Sequence, residues 1–344
     1  MRPFVYERAS DLAQARSLGA HTGQGQVDAM TQFLAGGTTL LDLMKLDVLR
    51  PAQVVDIARL KDAHGIVESS SAGLRLSAFA KMAQVADHPD VRRNYPVVAQ
   101  SLQLAASAQL RNMATLGGNV LQKTRCAYYR DPTWTACNKR MPGSGCAAIA
   151  GFNRNHAVLG IDDSCIAQYP GDFAVALMAL EAEVEVSGMR GSRRFPVAML
   201  HRPVNGQPHL ETTLNAGETI VAFHIAAAPW TRCSVYIKVR DRASYEFAIA
   251  SAAVALDMDD NRVRNVRIGL GGLAYRPWRA IDAENMLVGK ELTEASAAAA
   301  AQLAVQGAKT HGHNDYKPLL AQQTVARALL HAQTLPRDGA EHAG

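Results

Sequence analysis

Four of the five cysteines, Cys126, Cys137, Cys146 and Cys165, fall within one forty-residue window. They follow a glycine turn reading Thr115-Leu116-Gly117-Gly118-Asn119. Four neighbouring thiols suit an iron–sulfur cubane, because each of its irons takes one thiolate. A Gly-Gly-Asn turn suits a bound phosphate or flavin, because backbone N–H groups reach it with no side chain in the way. The two side by side predict a flavin and a cluster within electron-transfer distance.

Other uses of the thiols are weighed by spacing and setting. Structural zinc favours short C-x₂₋₄-C pairs, whereas these cysteines are separated by ten, eight and eighteen residues. Two disulfides would require an oxidising route during folding. Lys123, Arg125, Arg130, Lys139 and Arg140 crowd the window, and a four-thiolate cluster is anionic and gains from such neighbours. Cys233 stands outside and reads as a plain buried thiol. His156, His201, His209 and His224 read as surface or satisfied polar positions. His311 and His313, in His-Gly-His, bring no third and fourth metal ligand nearby.

A second glycine turn lies upstream, in Phe33-Leu34-Ala35-Gly36-Gly37-Thr38-Thr39-Leu40. A strand, a tight turn and a helix start can bind phosphate through free N–H groups and the positive helix end. The turn is neither G-x-G-x-x-G nor G-x-x-x-x-G-K-[ST], which disfavours a nicotinamide Rossmann site and a nucleotide hydrolase. Taken alone, it reads as a plain βα turn.

The elements that must position these turns are legible from periodicity and punctuation. Strands are expected at 4–6, 32–35 and 54–57, with a helix capped by Ser10 and another carrying Leu40, Leu41, Leu43, Met44 and Leu46. A hairpin follows at 65–68 and 74–78, then a helix from Pro96 to about Leu110. Residues 111–170 show sparse periodicity, the mark of a functional loop or cofactor-organised insert. A helix is expected near 172–181 and strands at 184–186 and 220–225. Strands 234–239 and 263–270 bracket an apolar segment at 247–256, before helices 292–306 and 319–333. The alanine run at 298–301 reads as helix propensity.

At 344 residues, 48% hydrophobic and 19% charged, the chain reads as two or three globular domains. The +5 net charge is scattered, with short basic clusters at 190–194 and 262–267 that read as solvated faces. Without an aromatic-interleaved basic stripe, nucleic acid is disfavoured. No run reaches the eighteen or so apolar residues of a membrane span. Residues 1–8 carry no apolar h-region, which predicts no signal peptide on this chain; reduced thiols are the default.

On these motifs the chain resembles the FAD-binding subunits of the molybdenum hydroxylases, the family of xanthine dehydrogenase, carbon monoxide dehydrogenase and aldehyde oxidoreductases. The resemblance spans nearly the whole chain: Phe4-Val5-Tyr6, both glycine turns, Pro170-Gly171-Asp172, Ile237-Lys238-Val239-Arg240 and the segment from Gly269 to Ala280. It implies that the two glycine loops hold the FAD pyrophosphate. The implied flavin contacts are Gln32, Phe33, Leu34, Ala35, Gly36, Gly37, Thr38, Thr39, Leu40, Thr115, Leu116, Gly117, Gly118, Asn119, Asp172, Val221 and Lys238. Asp172 would accept hydrogen bonds from ribityl or adenosine hydroxyls, or cap a helix. Lys238 would place positive charge near a reduced flavin, where a solvated strand lysine is the plainer alternative.

In most relatives the chain passes almost directly from the G-G-N turn to the aspartate, whereas here 120–169 intervenes. The chain thus resembles the branch whose flavin subunit holds an extra [4Fe-4S] cluster, closest in wording to the periplasmic aldehyde oxidoreductases. By that resemblance Cys126, Cys137, Cys146 and Cys165 are its ligands.

The implied fold is α+β. A two-subdomain FAD-binding domain of the vanillyl-alcohol-oxidase type (1–60, and 61–229 with the insert at 120–169) precedes a C-terminal α/β sandwich domain (230–336) and a flexible tail (337–344). The implied role is electron transfer within a heterotrimer, with a molybdenum-cofactor large subunit, a [2Fe-2S] small subunit and an external acceptor. No catalytic residue is expected in this chain. Export to the periplasm would go with a signal-bearing partner; a cytoplasmic complex is the alternative. A hydroxybenzoyl-CoA-reductase-type subunit, a zinc-stabilised binding module and a stand-alone flavin oxidase are the competing readings.

Overall fold

The computed structural model describes residues 1–19, 29–60 and 64–336. The expected flexible tail, 337–344, lies outside the described residues. Near the N-terminus β1 (Val5–Arg8), β2 (Thr31–Leu34) and β3 (Gln53–Asp56) form a parallel sheet in the order β1-β3-β2. Central β3 supplies the fully covered Val54 and Val55, as a parallel strand buried on both faces requires. The βα turn at Gly36-Gly37 joins β2 to the helix Leu40–Lys45.

The second sheet is antiparallel and interleaves distant segments. It contains β4 (Val67–Ser70), β5 (Gly73–Ser77), β6 (Glu183–Gly188), β7 (Gly191–Pro196) and β8 (Thr219–Ala226), in the order β4-β5-β8-β6-β7. It shares one core with two buried helices, Pro96–Gln103 and Phe173–Ala179; Phe173 stands edge-on to Phe223 of β8 at 5.4 Å. The third sheet, β12-β11-β10-β9, joins β9 (Ser234–Val239), β10 (Ala250–Asp259), β11 (Arg262–Gly271) and β12 (Trp278–Arg279). Helices Ile281–Leu287, Glu294–Ala304 and Lys317–Gln333 share its core.

Several expectations need correction. The helix starting at Pro96 ends at Gln103: Ala106 adopts a left-handed φ of 49°, and the Ser107 side chain accepts the Leu110 N–H to start a separate helix, Ala108–Met113. The first helix is capped by Asp11 rather than Ser10, since Asp11 Oδ1 accepts the Gln14 N–H at 2.8 Å. The apolar segment at 247–256 contains most of a ten-residue strand, β10. The basic cluster at 190–194 is exposed as expected, and Arg193 and Arg194 lie on edge strand β7, where charged side chains discourage further pairing. The alanine run does more than favour helix. Ala297, Ala300, Ala301 and Ala304 are buried at helical spacing beside Ala321, Val325 and Ala328, and small side chains let the two helices approach.

Candidate functional site

The upstream glycine turn presents free backbone donors. The N–H groups of Gly36, Gly37, Thr38 and Thr39 donate to no acceptor among the described residues. Gly37 sits at a φ of +74°, which favours glycine and lets successive N–H groups face one side. The loop from Gln32 to Leu40 is half-buried, open enough for a ligand. Gly36 has a different task. A Cβ there would strike the Met113 carbonyl oxygen and lie 2.8 Å from Ala114 Cα. The two glycine turns therefore meet backbone to backbone, and Lys81 Nζ ties the junction by donating to the Met113 carbonyl at 2.9 Å.

The downstream turn differs from expectation, because its backbone donors are spent. Leu116 N–H donates to Ala80 and Gly117 N–H to Ala78, at 3.0 and 2.9 Å, while the Thr115 hydroxyl and carbonyl accept from Gly118 and Asn119. Thr115 thus caps the short helix Leu116–Val120. What remains for a ligand is the Asn119 side chain, whose Oδ1 is buried without a hydrogen-bond partner. A buried orphan acceptor of this kind calls for a missing donor, and a flavin nucleotide carries several.

Val221, buried in β8, lies one layer behind this turn; its carbonyl accepts the Ala78 N–H at 2.9 Å. Asp172 and Lys238 form a buried pair, Nζ to Oδ2 at 2.8 Å, with side chains 5% and 1% exposed. Tyr236 OH donates to the other carboxylate oxygen at 2.6 Å, and Lys238 also donates to the Leu104 carbonyl. Asp172 stands at the N-cap position of the helix Phe173–Ala179 but makes no side-chain capping bond, and Lys238 is not solvated. Burial pushes the Asp172 carboxyl up, against the pull of Lys238 and Tyr236. Asp172→Asn leaves the ammonium buried without its counter-charge, a loss of about 3–5 kcal/mol. We expect a clearly lower melting temperature by calorimetry; an unchanged melt would show that the pair is not structural.

The insert gathers the thiols. Cys137 and Cys146 face each other across an antiparallel bridge, closed by Asn138 N–H to Gly145 O at 2.8 Å. Asn138 Nδ2 reaches the Ser164 carbonyl at 2.9 Å, drawing in the turn that bears Cys165. Cys126 packs beside Cys146 in one apolar cluster and beside Cys165 and Cys137 in two others. None of the five cysteines is in a disulfide. A hydrogen bond from Cys165 holds the Cys146 thiol down to about 6 and raises Cys165 well above the ordinary range, while burial pushes Cys126 up to about 12.

Among the described residues no three His, Cys, Asp or Glu side chains are grouped to hold a metal ion. That counts against a mononuclear zinc site, whose ligands all lie roughly 2.0–2.3 Å from one ion. A cubane makes a different demand, because each thiolate binds its own iron. Four thiols linked in succession, Cys137 beside Cys146, Cys146 beside Cys165 and Cys126 beside Cys137 and Cys146, fit that donor set.

The basic residues do not simply surround the thiols. Arg125 and Arg130 both pair with Asp42, on the helix after the upstream glycine turn. Arg140 donates to backbone carbonyls of Tyr128, Tyr129, Asp131 and Trp134. Lys123 and Lys139 pair with Glu211, and Lys139, itself buried, also reaches Tyr275 OH at 2.9 Å and lies close enough to Cys165 to feel its charge. Arg125 and Arg130 thus bind the insert to the helix after the upstream glycine turn, and Arg140 braces the insert internally. The lysines bind it to the segment around Glu211.

Burial alone would raise the Glu211 pKa, but the two lysines hold it down at about 2. A depressed carboxylate stabilises fully above its unfolded pKa, near 4.5, and loses that contribution as pH falls through about 2. We therefore expect the melting temperature to fall across that window by an amount that Glu211→Gln removes. Parallel acid profiles for the two proteins would contradict the assignment.

Among the histidines, His224 pairs with Glu185 at 2.8 Å and His201 is buried against Tyr169. His311 and His313 form no metal set; His313 lies 5.0 Å from the exposed Phe152 ring. Cys233 is buried as expected, with Sγ 3.4 Å from the Pro336 carbonyl. His156 departs from expectation. It is buried with Nε2 3.2 Å from Cys126 Sγ, and burial holds its imidazole down at about 4. Both residues line a cavity of about 220 Å³ between the insert and the Glu246–Ile249 segment.

A parallel βα sheet whose turn N–H groups have no acceptor among the described residues, an antiparallel second sheet and a helix-covered C-terminal sheet give an α+β build with donors placed for a nucleotide's phosphates. Residues 2–227 match the FAD binding domain in molybdopterin dehydrogenase, and residues 235–332 the CO dehydrogenase flavoprotein C-terminal domain. The chain belongs to the FAD-binding medium subunits of the molybdenum hydroxylases, oxidoreductase components of multi-subunit enzymes. It is 41% identical over 334 residues to the aldehyde oxidoreductase FAD-binding subunit PaoB of Escherichia coli K12, covering 97% of this chain and 99% of that one. The carbon monoxide dehydrogenase medium chain of Hydrogenophaga pseudoflava is 26% identical, over 95% and 96% of the two chains. Quinoline 2-oxidoreductase from Pseudomonas putida 86 shares the fold, with a TM-score of 0.71 at 24% identity over 96% of this chain and 98% of that one. No helix among the described residues is long and apolar enough to cross a membrane.

Proposed function

We propose that the chain is the FAD- and [4Fe-4S]-bearing electron-transfer subunit of a heterotrimeric molybdenum-dependent aldehyde oxidoreductase. It passes electrons from molybdenum and [2Fe-2S] centres in partner subunits, via FAD, to an external acceptor. The grouping of Cys126, Cys137, Cys146 and Cys165 in an insert tied by Asp42 to the upstream glycine loop carries this reading. The 41% identity to an aldehyde oxidoreductase subunit supports the substrate class.

FAD supplies two-electron chemistry with one- or two-electron release. On this chain the N–H groups of Gly36 to Thr39, flanked by Gln32–Ala35 and Leu40, would hold its pyrophosphate. Asn119 would accept from a nucleotide hydroxyl or amine, on the short helix that Thr115 caps. Asp172, Lys238 and Val221 stiffen the wall behind, with Lys238 adding a buried positive charge. A cubane supplies one-electron chemistry, and the four cysteines would hold it.

Co-expression with candidate molybdenum and [2Fe-2S] subunits tests the reading. Aldehyde oxidation is expected only from the three-subunit complex, and robust turnover by the lone chain would overturn it. The same reading has the complex exported in company with a signal-bearing partner; complex confined to the cytoplasmic fraction would refute that part.

A further inference from the structure

One side chain on the thiol cluster is assigned no role by the cysteine ligand set. His156 sits between Cys146 and Cys165 in sequence, yet its ring is turned toward Cys126, with Nε2 3.2 Å from Sγ. That is within hydrogen-bonding range for a sulfur acceptor. The ring is not free to turn elsewhere. His156 is 6% exposed, its ring centroid lies 6.1 Å from that of Tyr128, and its N–H donates to the Asn153 carbonyl at 2.9 Å.

Its own carbonyl accepts from Lys317 Nζ at 3.0 Å, and the same buried ammonium reaches Gln168 Oε1 and the Gly272 carbonyl, both at 2.7 Å. The long C-terminal helix therefore pins the histidine backbone from behind. Asn314 Nδ2 adds a bond to the neighbouring Ala157 carbonyl. Such support from three segments is more than a space-filling histidine needs, and it fixes one ring nitrogen on one sulfur.

We propose that His156 Nε2–H donates a hydrogen bond to the Cys126 sulfur when that sulfur is a cluster ligand, and that this bond raises the reduction potential of the cluster. The inference rests on the [4Fe-4S] reading above. A donor to a ligating sulfur withdraws electron density from it, and the extra electron of the reduced cluster makes that sulfur a better acceptor, so reduction is favoured. The proton stays on nitrogen throughout. His156 is thus a positioning residue acting through Cys126, and Lys317 fixes it in turn.

The test uses the full-length chain, purified without oxygen, in three forms: wild type, His156→Ala and His156→Gln. Iron and sulfide content are measured first, followed by EPR-monitored redox titration. His156→Ala is expected to lower the ratio of reduced to oxidised cluster at fixed potential about tenfold, equivalent to about 59 mV for a one-electron couple. His156→Gln, which keeps an amide N–H donor, should recover most of that loss. If His156→Ala loses iron, pulsed EPR of the reduced wild type labelled with ¹⁵N-histidine decides instead. A ¹⁵N coupling that vanishes in His156→Gln is expected. Wild-type protein without iron would sink the cluster reading itself. Iron-replete wild type with an unchanged potential in His156→Ala, or with no histidine ¹⁵N coupling, overturns this inference alone.

Discussion

Gly36→Leu is expected to yield a chain that purifies without flavin. The glycine is fixed by the Met113 carbonyl and Ala114 Cα, which leave no room for a Cβ. Both neighbours are backbone, so the clash cannot be relieved by a rotamer change; the two glycine turns must move apart. Overpacking of this kind costs about 1–3 kcal/mol, and because the cradle N–H groups of Gly36 to Thr39 lie on the displaced loop, that cost falls on FAD affinity. Roughly ten- to a hundredfold weaker binding follows, read as FAD absorbance per chain and by titration of the apoprotein. Gly37→Leu should do less: its added Cβ meets only leucine side-chain carbons, the nearest at 3.0 Å, and its cost is the left-handed φ. Stoichiometric FAD in Gly36→Leu would remove the upstream turn from the site.

Serine in place of Cys126, Cys137, Cys146 or Cys165 is expected to cost most of the iron, whereas Cys233→Ser keeps it. Thiolate ligands hold iron, a hydroxyl is a poor substitute, and metal binding is coupled to folding of the loop that presents the ligands. The insert shares a core with the upstream subdomain, where Tyr129 and Cys137 pack with Leu43, Met44 and Val54. Arg125 and Arg130 reach Asp42 on the same helix. Loosening the insert should therefore lower FAD occupancy as a second effect, and Asp42→Asn should reproduce that second effect with iron retained. Full iron in Cys165→Ser would refute the ligand set.

The fold was legible where local signals are strong. Glycine turns, the proline starting the helix at Pro96, apolar strands and the compositional break at the insert all act over a few residues. What escaped depends on contacts far apart in sequence. Asp42 meets Arg130 across 88 residues and Glu211 meets Lys139 across 72, so neither acid carries a local mark of its partner. The cluster of basic residues suggested free positive charge around the thiols, yet most of it is neutralised by those two acids or spent on carbonyls.

The two glycine turns read alike in sequence but differ in the fold: the N–H groups of one have no acceptor among the described residues, while Gly117 and Leu116 of the other donate to Ala78 and Ala80. Only the pairing of strands reveals which is which. His156 looked ordinary because nothing within a few residues of it is a cysteine.

Metal and flavin analysis of the full-length wild-type chain, purified without oxygen, is the most direct measurement of the account. Roughly one FAD and four iron atoms per chain, with matching acid-labile sulfide and a low-temperature EPR signal on reduction, are expected from one flavin site and one cubane. Zinc in place of iron, or stoichiometric FAD with no iron or sulfide, would contradict it.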